Sequence, residues 1–183
     1  MNVYDFDKTV FPVDSTVDFW KYCVRHWPKC LRRLPGALPF ALGWKLKLCT
    51  LDDFKGRFYR FLRDIPEDAV VRYWDENIGR VYPWYLQQKQ DDDVIISASP
   101  EFSIQEACRR LGVRCLASPV DARTGELQGK NCRAEEKTRR LDEEIPDAHI
   151  EKFYSDSLSD TPLAVRAEAA FLIKKGVPTP WPK

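Results

Sequence analysis

The spacing of hydrophobic residues changes twice along the chain. The run 2–6 is short and mostly apolar, which is typical of a buried strand. From about 13 to 90, apolar and aromatic residues recur at helical spacing and prolines divide the segment into short pieces. From Val94 onwards, short β-branched runs alternate with amphipathic helical stretches. This alternation predicts a parallel α/β sheet that includes the first strand, with residues 13–90 as a helical insertion after that strand.

Local signals place the boundaries of the predicted elements. Asp14 or Ser15 can cap a helix, Thr50 and Asp53 have capping-box spacing, and Gly112 is suited to end a helix. Strands are predicted at 2–6, 94–96, 113–117, 150–154 and 170–173. Helices are predicted from 14 to 27, 100 to 111 and 135 to 144, with others beginning near 50, 66 and 161. The tail 178–183 holds three prolines and is predicted to be irregular.

Composition excludes several classes of protein. The chain has 183 residues with 29 Lys and Arg against 28 Asp and Glu, which argues against a general nucleic-acid binder. We expect no signal peptide before the first strand, and no apolar run reaches the roughly 20 residues of a membrane span. Six cysteines without a C-x-x-C pair predict free thiols in a reducing cytoplasm and no zinc site.

Two carboxylates follow the first strand. Asp5 and Asp7 are separated by one residue, and the carboxyl ends of parallel strands form the ligand-binding edge of such a sheet. One carboxylate can attack phosphorus, and a second can protonate a leaving alkoxide and then deprotonate water. An Asp-x-Asp sequence taken alone is more often a polar turn.

Polar residues at three later positions are candidates for the same edge. Ser97 and Ala98 follow the strand 94–96, where a hydroxyl and free N–H groups suit a phosphate oxygen. Lys137 lies near the start of a predicted helix and could neutralise phosphoryl charge. Asp156 and Asp160 follow the strand 150–154, where carboxylate oxygens suit Mg²⁺. Each is individually more typical of a cap, a turn or a solvated helix, but their order along the chain indicates one site.

These segments resemble the four motifs of haloacid dehalogenase superfamily phosphatases. Asp5-Phe6-Asp7-Lys8-Thr9-Val10 is similar to the first motif, D-x-D-x-T-x, and Ser97 to the second-motif serine. Lys137 resembles the third-motif lysine, which usually opens a helix; Lys130 is a weaker rival for that place. The segment 155–160, with acidic residues four apart, resembles the fourth motif.

The resemblance implies a role for each residue. Asp5 would be the nucleophile and a metal ligand, and Asp7 the general acid and base with its backbone carbonyl on the metal. Asp156 would be the third protein ligand to Mg²⁺. Asp160 would support Asp156 or Lys137. Catalytic residues would thus be Asp5, Asp7 and Lys137, and phosphate would be held by Ser97, the N–H of Ala98 and Lys137.

The resemblance also implies the architecture and the reaction. The fold would be α/β, a Rossmann-like three-layer core with a parallel sheet, formed by residues 1–12 and 91–183, plus an inserted α-helical cap formed by residues 13–90. The activity would be magnesium-dependent hydrolysis of a small phosphomonoester, such as a phosphoserine-like metabolite, through an aspartyl-phosphate on Asp5. Hydrolysis and phosphotransfer share that intermediate, so the sequence leaves both open.

Several alternatives concern the ligand. The chain could be a lipid phosphate phosphatase of the phosphatidylglycerophosphatase kind, or a catalytically silent relative that binds a phosphorylated ligand. The apolar segment 34–48, with Lys45 and Lys47, could contact a membrane surface or simply pack inside the cap. Asp14 could meet a substrate amine, although an N-cap role is favoured. The sequence indicates no oligomeric state.

Overall fold

The computed structural model describes residues 1–182. Its strands are β1 Asn2–Tyr4, β2 Val94–Pro100, β3 Arg114–Ser118, β4 Lys152–Ser155, β5 Ala169–Lys174 and β6 Val177–Pro180. Its α-helices are α1 Ser15–His26, α2 Leu38–Lys45, α3 Leu51–Phe58, α4 Ala69–Asn77, α5 Pro83–Gln88, α6 Glu101–Leu111, α7 Glu135–Glu144 and α8 Thr161–Ala164. Short 3-10 helices span Pro28–Gly36, Tyr59–Asp64, Ile78–Arg80 and Leu158–Asp160.

The helix ends follow local sequence signals. The carboxylate of Asp14 accepts a hydrogen bond from the N–H of Val17 at 2.9 Å and caps α1. Thr50 and Asp53 form a reciprocal capping box at the start of α3. Gly112 ends α6 with φ +69°, a left-handed conformation that glycine adopts without steric cost. These three boundaries agree with the sequence predictions.

The six strands form one sheet in the order β3-β2-β1-β4-β5-β6. The first five strands are parallel, and β6 runs antiparallel to β5. The predicted Rossmann-like α/β fold is therefore confirmed. The order of the strands reverses between β1 and β4, and in open α/β sheets ligands bind beyond the carboxyl ends of the strands at this reversal.

Both faces of the central strands are buried. Along β1, Val3 packs into one hydrophobic cluster and Tyr4 into the other, because successive side chains of a strand point to opposite faces. The Tyr4 side contains α6 together with aromatic residues of α4 and α5, and the ring of Tyr4 stacks on that of Tyr154 at 4.8 Å. The Val3 side is covered by α7 and α8. Helices on both faces make three layers.

The tail prediction was wrong for residues 178–180. They belong to β6 at the edge of the sheet, where Thr179 pairs with Leu172. Proline lacks an N–H and is tolerated in an edge strand when its nitrogen faces away from the neighbouring strand. Pro178 and Pro180 occupy such places. Lys183, the last residue of that predicted tail, lies outside the described residues.

Among residues 1–182, no helix combines the length and the apolar character that a membrane crossing requires.

Candidate active site

Asp5, Ser97 and Asp156 lie together at the carboxyl edge of the sheet, where β1, β2 and β4 end. The N–H of Asp5 donates to the carbonyl of Tyr154 at 2.8 Å, so the backbone of Asp5 still belongs to the sheet. The parallel register sets Tyr4 beside Ile95 and Tyr154, which brings the residues that follow each strand to one level. A cleft of about 210 Å³ opens there. Its lining residues include Asp5, Asp7, Lys8, Asp14, Ser97, Ala98, Arg133, Lys137, Asp156 and Asp160.

Lys137 is buried beneath this cleft between two carboxylates. Its ammonium lies 2.6 Å from Oδ1 of Asp5 and 2.7 Å from Oδ2 of Asp160. It is the third residue of α7, and the N–H of Lys137 donates to the carbonyl of Ala134. Lys130 is exposed and is not among the residues that line the cleft.

Burial and charge act against each other in this triad. Burial raises the pKa of Asp5 to about 7, although Lys137 opposes the shift. Burial disfavours the ammonium of Lys137, but Asp5 and Asp160 outweigh that effect and raise the pKa of Lys137. Lys137 therefore stays charged. Asp5 accepts the hydrogen bond of Lys137 on Oδ1 and lines the cleft.

The end of β4 and the turn after it hold the carboxylate of Asp160 in place. The hydroxyl of Ser155 donates to Oδ2 of Asp160 at 2.7 Å and accepts from the N–H of Ser157 at 3.1 Å. Ser155 and Asp160 are both buried. Of the two partners that the sequence suggested for Asp160, the structure places it against Lys137.

Asp7 is held by neutral donors from two segments. Its Oδ1 accepts from the N–H of Ser15 at 2.8 Å, and its Oδ2 accepts from the hydroxyl of Ser99 at 2.5 Å. Burial is the main cause that raises the pKa of Asp7 to about 6, with Asp14 adding to it. A carboxyl group with a pKa in this range can hold a proton and release it near neutral pH.

Asp156 contributes a further carboxylate to the cleft, and partial burial raises its pKa. No salt bridge to Asp156 occurs within residues 1–182. No group of three His, Cys, Asp or Glu side chains in this part of the chain is arranged as a ready metal cluster. The set implied by the motifs needs two carboxylates, Asp5 and Asp156, with the main-chain carbonyl of Asp7. These hard oxygen donors, in a cleft with more carboxylates than close cations, fit Mg²⁺.

A second cavity of about 570 Å³ adjoins the cleft and shares Asp7, Lys8, Asp14, Ala98 and Arg133 with it. Its other walls come from α1 and from the region of α2 and α3. The side chains there are mainly apolar or aromatic: Val17, Trp44, Leu51, Phe54, Phe58 and Tyr59.

Lys55 of α3 connects these walls to the strand ends. Its ammonium donates to the carbonyl of Ala98 at 2.8 Å and to Oδ1 of Asn131 at 2.8 Å. Burial lowers the pKa of Lys55, and the opposing attraction of Asp52, Asp14 and Asp7 does not outweigh it. Ser118 also lies within hydrogen-bonding distance of both acceptors, at 3.0 and 2.8 Å. One lysine of the inserted block therefore contacts both the end of β2 and the loop that precedes α7.

Sequence reasoning missed Ser99, Lys55 and Arg133 as parts of the site. Ser99 ends the sequence Ser97-Ala98-Ser99, and a second hydroxyl after the strand was a usable signal. Arg133 lies four residues before Lys137 and lines both cavities. Lys55 had no comparable signal, because its contacts lie 43 and 76 residues away in the chain.

The chain is similar to known proteins in both sequence and structure. A family model described as haloacid dehalogenase-like hydrolase matches residues 3–164. Protein CicA of Caulobacter vibrioides is 37% identical in a match that covers 46% of this chain and 42% of CicA. The chain therefore matches less than half the length of that curated relative.

Solved structures share the fold at low sequence identity. A protein of unknown function from Bordetella pertussis Tohama I has a TM-score of 0.71 at 17% identity, over 94% of this chain and 88% of its own. A phosphoserine phosphohydrolase-like protein from Francisella tularensis has a TM-score of 0.59 at 13% identity, over 94% and 87%. A phosphoserine phosphatase structure described as a phospho-aspartyl intermediate analogue has a TM-score of 0.57 at 14% identity, over 93% and 84%.

The family match indicates a hydrolase, and the solved structures share its fold. The match spans the segments of all four motifs, from Asp5 to Asp160, and so confirms the resemblance drawn from them. The chain belongs to the haloacid dehalogenase-like hydrolase family.

Proposed function

We propose that this hydrolase is a magnesium-dependent phosphomonoesterase that acts through an aspartyl-phosphate on Asp5. The observation that carries the proposal is the contact of Lys137 with Asp5, at 2.6 Å, beneath a cleft that Asp7 and Asp156 also line. A buried cation beside a carboxylate at the strand ends suits attack on a phosphoryl group, whose equatorial oxygens carry negative charge.

The reaction needs two proton transfers, and one residue is placed for both. A carboxylate oxygen of Asp5 bonds to phosphorus while the ester P–O bond breaks, and Asp7 gives its proton to the leaving alkoxide. Asp7 then takes a proton from water, the water oxygen bonds to phosphorus, and Asp5 leaves. The hydroxyl of Ser99 and the N–H of Ser15 keep the carboxyl group of Asp7 in place during both steps.

Further groups would position the phosphoryl oxygens or balance their charge. The hydroxyl of Ser97, the N–H of Ala98 and the ammonium of Lys137 would hold the phosphoryl oxygens. Asp5, the carbonyl of Asp7 and Asp156 would hold Mg²⁺, which supplies positive charge for the phosphate when bound. Asp160 keeps Lys137 oriented through their ion pair at 2.7 Å.

The division of labour between the two parts of the chain is also a proposal. Residues 1–12 and 91–183 would form the catalytic core, and 13–90 the cap that excludes water and selects the leaving group. Within residues 13–90, helix α3 forms part of the cavity wall. Helix α4 instead contacts the proposed core, since the indole of Trp74 donates to the carbonyl of Ser103 in α6 at 2.8 Å. We infer a cytoplasmic enzyme, because all six cysteines are free thiols.

A small phosphomonoester such as a phosphoserine-like metabolite is the first candidate substrate, since the catalytic cleft itself is small and polar. One observation favours a second candidate, a lipid phosphate. The adjoining cavity is larger and is walled by residues such as Trp44, Phe54 and Phe58, which suit an apolar leaving group.

The test is release of inorganic phosphate from p-nitrophenyl phosphate, phosphoserine, sugar phosphates and phosphatidylglycerophosphate in detergent. Each substrate is measured with Mg²⁺, with EDTA, with Asp5→Asn and with Asp91→Asn, a matched change at an exposed carboxylate outside the cleft. We expect turnover that requires Mg²⁺, disappears in Asp5→Asn and persists in Asp91→Asn. Turnover that survives in Asp5→Asn would exclude the proposed nucleophile. Alcohol acceptors added to the assay separate hydrolysis from phosphotransfer.

A further inference from the structure

Helix α2 exposes apolar side chains on the side that faces away from the protein. Leu38 and Leu42 are 58% and 59% exposed, and no residue of α2 is buried. The turn after the helix continues this surface with Leu46 at 59% and Leu48 at 79% exposed. Leu38, Leu42 and Lys45 follow each other at helical spacing, so they lie on one side of the helix. The alternative that segment 34–48 packs inside the cap is therefore wrong for these leucines.

The exposed apolar residues of the molecule are concentrated here. Within residues 1–182, twelve large hydrophobic side chains are exposed. Six of them fall between residues 31 and 48: Leu31, Leu38, Leu42, Trp44, Leu46 and Leu48. Single exposed leucines are ordinary on protein surfaces, but a cluster of this kind marks a binding surface.

The same segment is basic. No Asp or Glu occurs between Asp18 and Asp52, whereas seven Lys and Arg do, in a chain whose net charge is +1. Arg32 and Arg33 are paired with Asp64. Lys45 and Lys47 are exposed and take part in no salt bridge within the described residues. The nearest acidic residues in the chain, Asp52 and Asp53, begin α3, and Asp53 is engaged by Thr50.

We propose that this surface, the α2 face, docks on the surface of an anionic phospholipid bilayer. The α2 face consists of Leu38, Leu42, Lys45, Leu46, Lys47 and Leu48. Exposed leucines lie beside unpaired lysines on this surface, so the apolar side chains can enter the acyl boundary while the lysines meet anionic headgroups. A second copy of the chain is a poorer occupant, because it would bring the same unpaired lysines together.

Docking would place the entrance of the larger cavity close to the membrane. Trp44, on another side of α2, is half exposed, stacks on Phe54 and lines that cavity. The binding proposal itself does not depend on the substrate, since it concerns only the exposed surface.

The test is sedimentation of the whole chain with vesicles, without substrate. One set contains equal parts of phosphatidylcholine and phosphatidylglycerol, and the other contains phosphatidylcholine alone. We expect binding to the anionic set that weakens at high salt. The double variant Leu42→Asp, Leu46→Asp should bind at least about tenfold more weakly, since it removes apolar contact and adds negative charge. Val165→Asp changes an apolar residue that is 73% exposed and lies outside the α2 face, so this control should bind like the wild type.

A charge pair of variants tests the electrostatic part. Lys45→Glu with Lys47→Glu should weaken binding by about fivefold for each lysine lost, with the new glutamates adding to that. Lys174→Glu with Lys175→Glu, at two other exposed lysines, is the control and should bind like the wild type.

Three outcomes would overturn the proposal: no sedimentation with anionic vesicles, equal binding by the wild type and the Leu42, Leu46 variant, or equal binding to both vesicle sets. If size-exclusion chromatography shows a wild-type dimer that this variant converts to a monomer, the α2 face is a contact between copies. Hydrolysis of p-nitrophenyl phosphate is followed in parallel. If neither the wild type nor any variant hydrolyses this substrate but the wild type still binds the anionic vesicles, the proposed function is contradicted and the docking proposal stands.

Discussion

Two lysines contact the active-site region from different parts of the fold, and they are held in different ways. Lys137 of α7 lies between two carboxylates, and those charges raise its pKa despite burial. Lys55 of α3 is held by a carbonyl and an amide oxygen, and burial lowers its pKa. For Lys55 the attraction of Asp52, Asp14 and Asp7 does not outweigh the effect of burial, and no carboxylate bonds the ammonium directly. Lys137 thus belongs to a rigid, ion-paired centre, whereas Lys55 is held by hydrogen bonds to two neutral oxygens.

This difference suggests how the two parts of the site divide their tasks. The strand ends provide fixed chemistry. We expect the wall formed by α2 and α3 to move more easily, because Lys55 ties it to them only by hydrogen bonds to two neutral acceptors. Such a wall suits a part of the site that opens for substrate and closes over it.

The largest expected effect comes from removing the charge at the rigid centre. Lys137→Met should lower kcat by about 10²–10³-fold, since it removes a cation aimed at the phosphoryl oxygens. It should also lower the free energy of unfolding by about 3–5 kcal/mol, because Asp5 and Asp160 would remain buried without their partner. Steady-state kinetics and urea unfolding measure the two effects. Unchanged kcat in a folded variant would contradict the assigned role of Lys137.

Removing the other lysine should act on activity and not on stability. Lys55→Met keeps the length of the side chain and loses the bonds to Ala98 and Asn131, so we expect kcat/KM to fall about tenfold. The free energy of unfolding should stay within about 1 kcal/mol, since the lost bonds are offset by removal of a poorly matched buried charge. A loss of stability as large as that of Lys137→Met would show that the two lysines are not held differently.

The apolar wall should affect selectivity alone. Phe54→Ala enlarges the cavity and removes the ring that stacks on Trp44, so KM for p-nitrophenyl phosphate should rise about fivefold while kcat stays the same. The KM for a small polar substrate such as phosphoserine serves as the internal control and should change less. An equal change for both substrates would mean that the larger cavity does not receive the leaving group.

The smallest effect concerns an anchor within the inserted block. Arg32 and Arg33 hydrogen-bond the carboxylate of Asp64 and lower its pKa to about 2. The folded-state pKa is below the ordinary value near 3.9, so this contribution is present above about pH 4 and is lost as pH falls towards 2. Because both arginines are partly exposed, it should amount to less than about 1 kcal/mol.

Thermal unfolding between pH 6 and pH 3 tests this anchor. Asp64→Asn should flatten the acid side of the stability curve, and Asp91→Asn, at an exposed carboxylate that takes part in no salt bridge within the described residues, is the control. An identical pH dependence in the wild type and Asp64→Asn would show that Asp64 makes no pH-dependent contribution to stability.

Sequence patterns predicted the elements wherever local signals were strong. The caps at Asp14 and Thr50 and the stop at Gly112 rest on contacts within a few residues, so the sequence contains the information. The edge strand β6 was missed because proline is tolerated in a strand only where its nitrogen faces away from the neighbouring strand. Which strand lies at the edge of the sheet depends on the whole fold and not on the local sequence.

The site was predicted in the same uneven way. Asp5, Asp7, Ser97, Lys137 and Asp156 were found because each follows or begins a recognisable element. Lys55 and the exposure of Leu42 depend on how α2 and α3 lie against distant segments, and no local pattern records that.

The position of β1 also has a consequence for synthesis. β1 lies at the centre of the sheet, yet its two neighbours, β2 and β4, come much later in the chain. During translation the first strand therefore leaves the ribosome long before its pairing partners exist, and Tyr4 and Phe6 have nothing of their own sheet to pack against. Such long-range pairing folds slowly and leaves a growing chain open to aggregation, so the nascent protein is a natural client for chaperones until β4 has been made.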